Sequence, residues 1–289
     1  MEYSLKVENL CKAYRNTDFK LDNVTFSIPK GSIMGLVGKN GAGKSTIINS
    51  VLNIIKKDSG IVKFFGCDLT NDTSSIREDI GVVFDTAHFH EELTAKKLEK
   101  VLGEIYINWN KELFFSYLEK FKIPSDKKIK TFSRGMGMKL SISIALSHQA
   151  KLLILDEATA GLDPVVREEI LDLFLDFVED ENNAILISSH VSSDLEKIAD
   201  YITIIDDGKV ILTESKDTLI YHYGIARMNQ KDFNKLQKCE YIACRQRGLQ
   251  IDVLISDKMS FSKKYPNVIV DKTSIDEILP LIIKGEEIK

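Results

Sequence analysis

Eight consecutive residues have the types and order needed to hold phosphate. Gly38-Lys39-Asn40-Gly41-Ala42-Gly43-Lys44-Ser45 follows the pattern G-x-x-x-x-G-K-[ST]. Its glycines let the backbone curl so that successive N–H groups point inward, and the helix expected from Ser45 onward adds its positive end. Asn40, Gly41, Ala42, Gly43 and Thr46 belong to this cradle. Lys44 can reach terminal phosphates, and the Ser45 hydroxyl can hold Mg²⁺. A glycine turn between strand and helix is the bland alternative, but the run Ser32 to Val37 before the loop and the helical spacing after it are the context that phosphate binding needs.

A second cluster of chemistry lies over a hundred residues further on. Four apolar residues, Leu152 to Leu155, lead into Asp156 and Glu157. A buried strand ending in aspartate beside a phosphate loop can place that carboxylate for Mg²⁺, and the next carboxylate can take a proton from an attacking water. Two acids at a strand end can also simply face solvent; the phosphate loop argues against that here. His190 ends another apolar run, Ala184 to Ser189. A lone histidine at a strand end is commonly structural. Ligands, however, bind at the carboxyl ends of parallel strands, where a neutral imidazole can contact a phosphate and steady a carboxylate.

The elements that must position these residues follow from periodicity. Residues 3–36 alternate as short strands broken at Pro29-Lys30-Gly31. Residues 86–149 are mainly helical, with apolar positions three and four apart in the stretches from Glu91 and Asn110. Helical spacing returns from Met138 to Gln149 and from Val165 to Asp180, and residues 201–212 read as a hairpin turning at Asp207-Gly208. The character changes near Ser215. Alternating Leu249, Ile251, Val253 and Ile255 suggest a strand, and Ser274-x-x-Glu277 suggests a capped helix that Pro280 interrupts or kinks.

Bulk properties set the limits. The chain has 289 residues, 44% of them hydrophobic, enough for one large domain with an appendage. A net charge of -4 does not suggest a nucleic-acid partner. Cys11, Cys67, Cys239 and Cys244 form no CxxC pair, as expected for a reduced, cytosolic protein. The first ten residues show no signal pattern, and no apolar stretch is long enough to span a membrane.

The order of the pieces narrows the reading further. Ser133-Arg134-Gly135-Met136, a helix, Leu152–Glu157, Ala160-Gly161-Leu162-Asp163 and Ser188-Ser189-His190 together resemble the ATP-binding subunits of ABC transporters, over about residues 3–214. The resemblance implies an α/β fold, a P-loop NTPase of ABC type. Its RecA-like core would carry an antiparallel β subdomain and a helical subdomain at about 86–149, all within 1–214, with a small α+β appendage over 215–289. It also implies ATP and Mg²⁺ as ligands. Ser133 and Gly135 would contact the γ-phosphate held by the opposite subunit of a head-to-tail homodimer or heterodimer. Asp163 would lie in the loop crossing between the two sites, and Tyr14 would stack on adenine. Glu157, His190 and Lys44 would be catalytic, and Ser45, Asp85 and Asp156 would hold the metal. Asp85 stands where the family pattern has glutamine, which changes the reach to Mg²⁺. Arg134 and Met136 replace a signature glycine and glutamine. These departures make the chain resemble ATPases of Gram-positive exporters of peptides and antimicrobials.

A membrane-spanning subunit is the implied partner, which would hold the chain peripherally at the cytoplasmic face of the membrane. The alternative is a soluble ABC ATPase acting in assembly or repair. Phe89, Tyr106, Trp109, Phe114, Phe115, Tyr117 and Phe121 could anchor the partner or fill the core of the helical subdomain. His88-Phe89-His90 is read as a solvated or interface loop rather than a metal site.

Overall fold

A computed structural model describes residues 2–15, 17–68, 74–86 and 89–285. His88 lies outside the described residues. At the centre is a six-stranded sheet. Its order is Lys209–Ser215, Tyr201–Asp206, Ser32–Val37, Ala184–Ser189, Leu152–Asp156 and Ile80–Val83. All neighbouring pairs are parallel except the Tyr201–Asp206/Lys209–Ser215 hairpin.

Every residue of Ser32–Val37, Leu152–Asp156 and Ala184–Ser189 is buried. This is why these strands read as unbroken apolar runs: a parallel sheet is covered on both faces. The period of two then sorts the side chains between two cores. Met34, Leu36, Leu152, Ile154 and Leu186 face one way, with helix Lys44–Val51 and the antiparallel sheet of Tyr3–Ala13, Lys20–Pro29, Ser59–Phe64 and Cys67–Asp68. Ile33, Val37, Leu153, Leu155, Ile185 and Ile187 face the other. This second core continues into helices Ala95–Ile105, Lys111–Lys120 and Arg134–Ser147.

Within those helices the aromatics fill the core. Phe114 and Phe121 are buried, and Tyr106, Trp109, Phe115, Tyr117 and Phe89 pack against the same cluster. Tyr106 stacks on the buried His148 with ring centroids 4.3 Å apart, and burial pushes its phenol pKa up, with Glu78 adding to the effect. The large apolar side chains that this region does expose are Val101, Ile105 and Ile107. Among the described residues no helix is long and apolar enough to cross a membrane.

The last part of the chain forms a third sheet of order Ala243–Arg247, Gln250–Ile255, Gly224–Asn229, Ile269–Asp271, antiparallel throughout. With short helices Gln230–Phe233 and Lys258–Lys264 between strands, the chain order is β-α-β-β-α-β, a split βαβ arrangement. One face packs its own small core around Met228, Phe233, Ile251, Val253 and Phe261. The other face is covered by helix Ile275–Lys284, whose Ile275, Ile278 and Leu281 join the larger core of the six-stranded unit. That helix runs through Pro280. Its buried stripe and its N-cap, where the Ser274 hydroxyl accepts from Glu277 N–H, hold it despite the missing donor. The backbone N–H of Ile275 donates to Glu196 Oε1 at 2.6 Å, tying this helix to Ser192–Ile198.

Candidate functional site

The phosphate loop leaves strand Ser32–Val37 at Gly38 and enters helix Lys44–Val51 through Gly43, whose φ of 111° suits glycine. A Cβ at Gly38 would lie 2.4 Å from the carbonyl oxygen of Ile205, so only glycine lets the loop pass that strand. The Asp207-Gly208 turn, with positive φ at both residues, braces the loop from below. Gly208 N–H donates to Ala42 O at 2.9 Å, and Lys39 pairs with Asp206 at 2.9 Å. The cradle is therefore fixed by the neighbouring hairpin.

Lys44 is buried, and its Nζ donates to Gly38 O at 2.8 Å. It also lies 3.5 Å from Glu157 Oε1. Glu157 follows strand Leu152–Asp156 and sits at φ 53°, an unusual conformation for a non-glycine residue. His190 Nδ1 is 2.5 Å from Glu157 Oε2. An ionised Glu157 requires the proton on that nitrogen, which leaves Nε2 as the other working end of the ring.

Ser188 links the two acidic residues, through the Asp156 carboxylate and the Glu157 backbone. Its fully buried hydroxyl donates to Asp156 Oδ1 at 2.6 Å and accepts from Glu157 N–H at 3.0 Å. Having one proton and two lone pairs, the hydroxyl can do both, and in doing so it orients the Asp156 side chain and the Glu157 backbone together.

These groups surround an open cleft of about 510 Å³ lined by Asn40, Gly41, Gly43, Lys44, Ser45, Thr46, Asp85, Glu157 and His190, with Phe19, Arg134 and Ala160. Gly38 and Ala42 lie in the loop beneath it, and Asp156 is buried behind it at 5% exposure. The remaining predicted residues lie outside the lining. Ser133 caps its own helix, its hydroxyl accepting from Met136 N–H at 3.2 Å, and Gly135 follows on the first turn. Asp163 caps Pro164–Val178, accepting from Val166 N–H at 3.0 Å. Tyr14 is partly exposed beneath Lys12 Nζ, 5.6 Å from its ring centroid. The aromatic at the cleft is Phe19. Phe19 is not singled out by the sequence, and Ser188 and Arg134 enter there only as members of motifs, because no local pattern gives a single aromatic, serine or arginine its partners from distant strands.

The donors present fit a nucleotide with Mg²⁺. A backbone cradle and a buried lysine suit phosphates. Among the described residues no cluster of three or more His, Cys, Asp or Glu could hold a metal alone. Mg²⁺ commonly takes only one or two carboxylates and completes its shell with phosphate oxygens and water. Ser45 and Asp85 at the cleft, with Asp156 behind, supply such a set.

A strand, a glycine cradle, a helix and an acid-tipped strand one place removed in the same sheet define a P-loop nucleotide-binding protein. Comparison with known proteins then narrows the class. The family model described as ABC transporter matches residues 21–160. A lantibiotic transport ATP-binding protein of Streptococcus pyogenes is 37% identical over 215 residues, spanning 74% of this chain and 91% of that protein. A linearmycin resistance ATP-binding protein of Bacillus subtilis is 30% identical over 259 residues, 88% of this chain and 82% of that one. A solved ATP-binding subunit of an ABC transporter superposes with a TM-score of 0.68 at 26% identity, covering 74% of this chain and 91% of the other. The chain belongs to the family of ABC transporter ATP-binding subunits, and it is an ATPase that takes ATP with Mg²⁺.

Proposed function

We propose that this chain powers the export of a peptide or antimicrobial through a membrane-spanning partner, from the cytoplasmic face of the membrane. The names of its relatives, lantibiotic transport and linearmycin resistance, support the substrate class. The observation that carries the site reading is the cleft that brings Lys44, Ser45 and Asp85 together with Glu157 and His190.

In this reading the loop N–H groups and Lys44 hold the β- and γ-phosphates. Bound Mg²⁺ supplies charge neutralisation at the phosphates, and Ser45, Asp85 and Asp156 hold it. Glu157 takes the proton of the attacking water as general base. His190 holds the Glu157 carboxylate through Nδ1 and presents Nε2 toward the γ-phosphate. Lys44 lies within ion-pair range of Glu157, so its engagement by phosphate releases the carboxylate for water. Ser133 and Gly135 complete the site of a second cassette, Asp163 lies at the crossing between the two, and Tyr14 or Phe19 meets the adenine. Residues 1–214 form the motor, and 215–289 form an accessory unit docked on it.

Glu157→Gln should abolish turnover while leaving ATP binding intact, measured by phosphate release and calorimetric titration. Wild-type turnover in that variant rejects the assignment. Copurification of a multi-span membrane protein with the tagged chain supports transport, whereas a soluble partner in its place favours the assembly or repair alternative.

A further inference from the structure

We propose that Arg167 is a positioning residue for hydrolysis: paired with the buried Asp194, it ties the loop that follows Glu157 to the helix that follows His190, and so holds those two side chains against each other. This rests on the reading of Glu157 and His190 given above and extends it to a pair that the reading does not use.

Arg167 stands near the start of helix Pro164–Val178, and Asp194 near the start of helix Ser192–Ile198. Neither lines the cleft. Asp194 is 2% exposed, and its Oδ1 lies 3.8 Å from Arg167 Nη1. Among the described residues Asp194 Oδ2 has no hydrogen-bond partner, and neither has the buried Nε of Arg167. Arg167 Nη2 donates to the carbonyl oxygen of Leu162 at 3.4 Å. Leu162 closes the turn after Glu157, where Ala160 N–H donates to Glu157 O at 3.0 Å and Leu162 N–H to Thr159 O at 3.4 Å. One guanidinium therefore reaches both the main chain of the Glu157 loop and a carboxylate on the helix that His190 leads into.

Stability alone does not account for the pair. A buried carboxylate bears its full desolvation cost, and a partner at 3.8 Å with one oxygen idle returns little of it. Charge-assisted contacts close to about 2.7–2.9 Å, so an approach of about 1 Å would engage the pair fully. What the pair does supply is a brace. Glu157 sits at φ 53°, a conformation that persists only where its surroundings over-determine it. Ser188 and His190 fix Glu157 at its backbone N–H and its carboxylate, and Arg167 fixes the far end of its turn. Lys197 and Glu168 join the same two helices at 2.5 Å, but both are half-exposed and solvent weakens their attraction.

The test follows phosphate release by full chains over a range of Mg²⁺-ATP concentrations, with melting curves alongside. Arg167→Lys keeps the charge without the planar fork. Its kcat should fall about tenfold, because small misplacements of catalytic groups are costly, while KM for ATP stays within about twofold. Arg167→Met combined with Asp194→Leu removes both charges and orphans neither, so Tm should hold. A purely structural pair would then leave kcat at the wild-type value, whereas a positioning pair loses about tenfold. In a His190→Ala background Arg167→Lys should cost less than about twofold, because the side chain held against Glu157 is gone. Lys197→Ala should keep the wild-type kcat. Wild-type kcat in the apolar pair, an equal loss in Lys197→Ala, or a full tenfold loss in the His190→Ala background overturns the proposal. If the apolar pair does not fold, Arg167→Lys in the two backgrounds decides alone. Wild-type kcat in His190→Ala itself would instead strike the site reading, and the proposal with it.

Discussion

Replacing Ser188 with alanine isolates the hydroxyl that couples Asp156 to Glu157. The side chain is fully buried, so no bulk water stands ready to replace it. Two hydrogen bonds vanish, but their costs differ. Glu157 N–H keeps a second acceptor, Ser188 O at 3.2 Å. Asp156 loses its donor to Oδ1 at 2.6 Å, leaving a carboxylate oxygen at 5% residue exposure without that partner. A hydrogen bond to a charged group contributes about 1.5–3 kcal/mol, so the nucleotide-free protein should lose about 2 kcal/mol. For a chain of this size that lowers Tm by about 3 °C in scanning calorimetry. The freed carboxylate also rotates, and loss of such a supporting partner typically weakens metal affinity by about tenfold or more. The Mg²⁺ concentration that half-saturates ATP hydrolysis should rise accordingly. An unchanged Tm together with unchanged Mg²⁺ dependence would refute the idea that Ser188 orients the site.

Gly38→Ala should abolish nucleotide binding in calorimetric titration and lower Tm, because the new methyl meets the Ile205 carbonyl, a backbone atom of a buried strand with no freedom to move. Phe114→Ala empties a fully buried position in the helical subdomain and should cost about 3–5 kcal/mol in chemical denaturation. In the C-terminal unit, the hydrogen bond from Gln237 N–H and then the Lys264 ammonium hold the Glu240 carboxyl below its ordinary value of 4.5, with Tyr265 assisting. The folded state therefore binds this proton less readily than the unfolded chain does. Stability from Glu240 is present above the unfolded pKa and is lost as pH falls through the folded one. Urea midpoints should show that acid-side loss, and Glu240→Gln should flatten it.

Local chemistry was legible in the residues themselves. The phosphate loop reads from sequence because its glycines, lysine and serine act within one strand-turn-helix unit. The buried strands read as apolar runs because a parallel sheet covers both faces, and the Asp207-Gly208 turn reads because positive φ limits the residues that tolerate it. The helical subdomain was also visible in its spacing, but periodicity marks only which face is apolar. It took packing to show that Tyr106, Trp109 and Phe114 fill a core while Ile105 and Ile107 face outward.

Tertiary structure alone decided what meets at the cleft. Lys44, Arg134, Glu157 and His190 lie far apart in the chain, and their meeting depends on the insertion of Ser32–Val37 between Tyr201–Asp206 and Ala184–Ser189, two strands that come much later in the chain. The same holds for the C-terminal unit. Alternation at Ile251, Val253 and Ile255 predicts a strand, but the pairing of Gly224–Asn229 between Gln250–Ile255 and Ile269–Asp271 is non-local and leaves no local mark. Pro280 shows the balance most plainly. By itself it argues for a break, yet Ile275, Ile278 and Leu281 bury against the six-stranded unit and carry the helix through. Propensity is a preference of less than a few kcal/mol per residue, and burial of three large aliphatic side chains outweighs it.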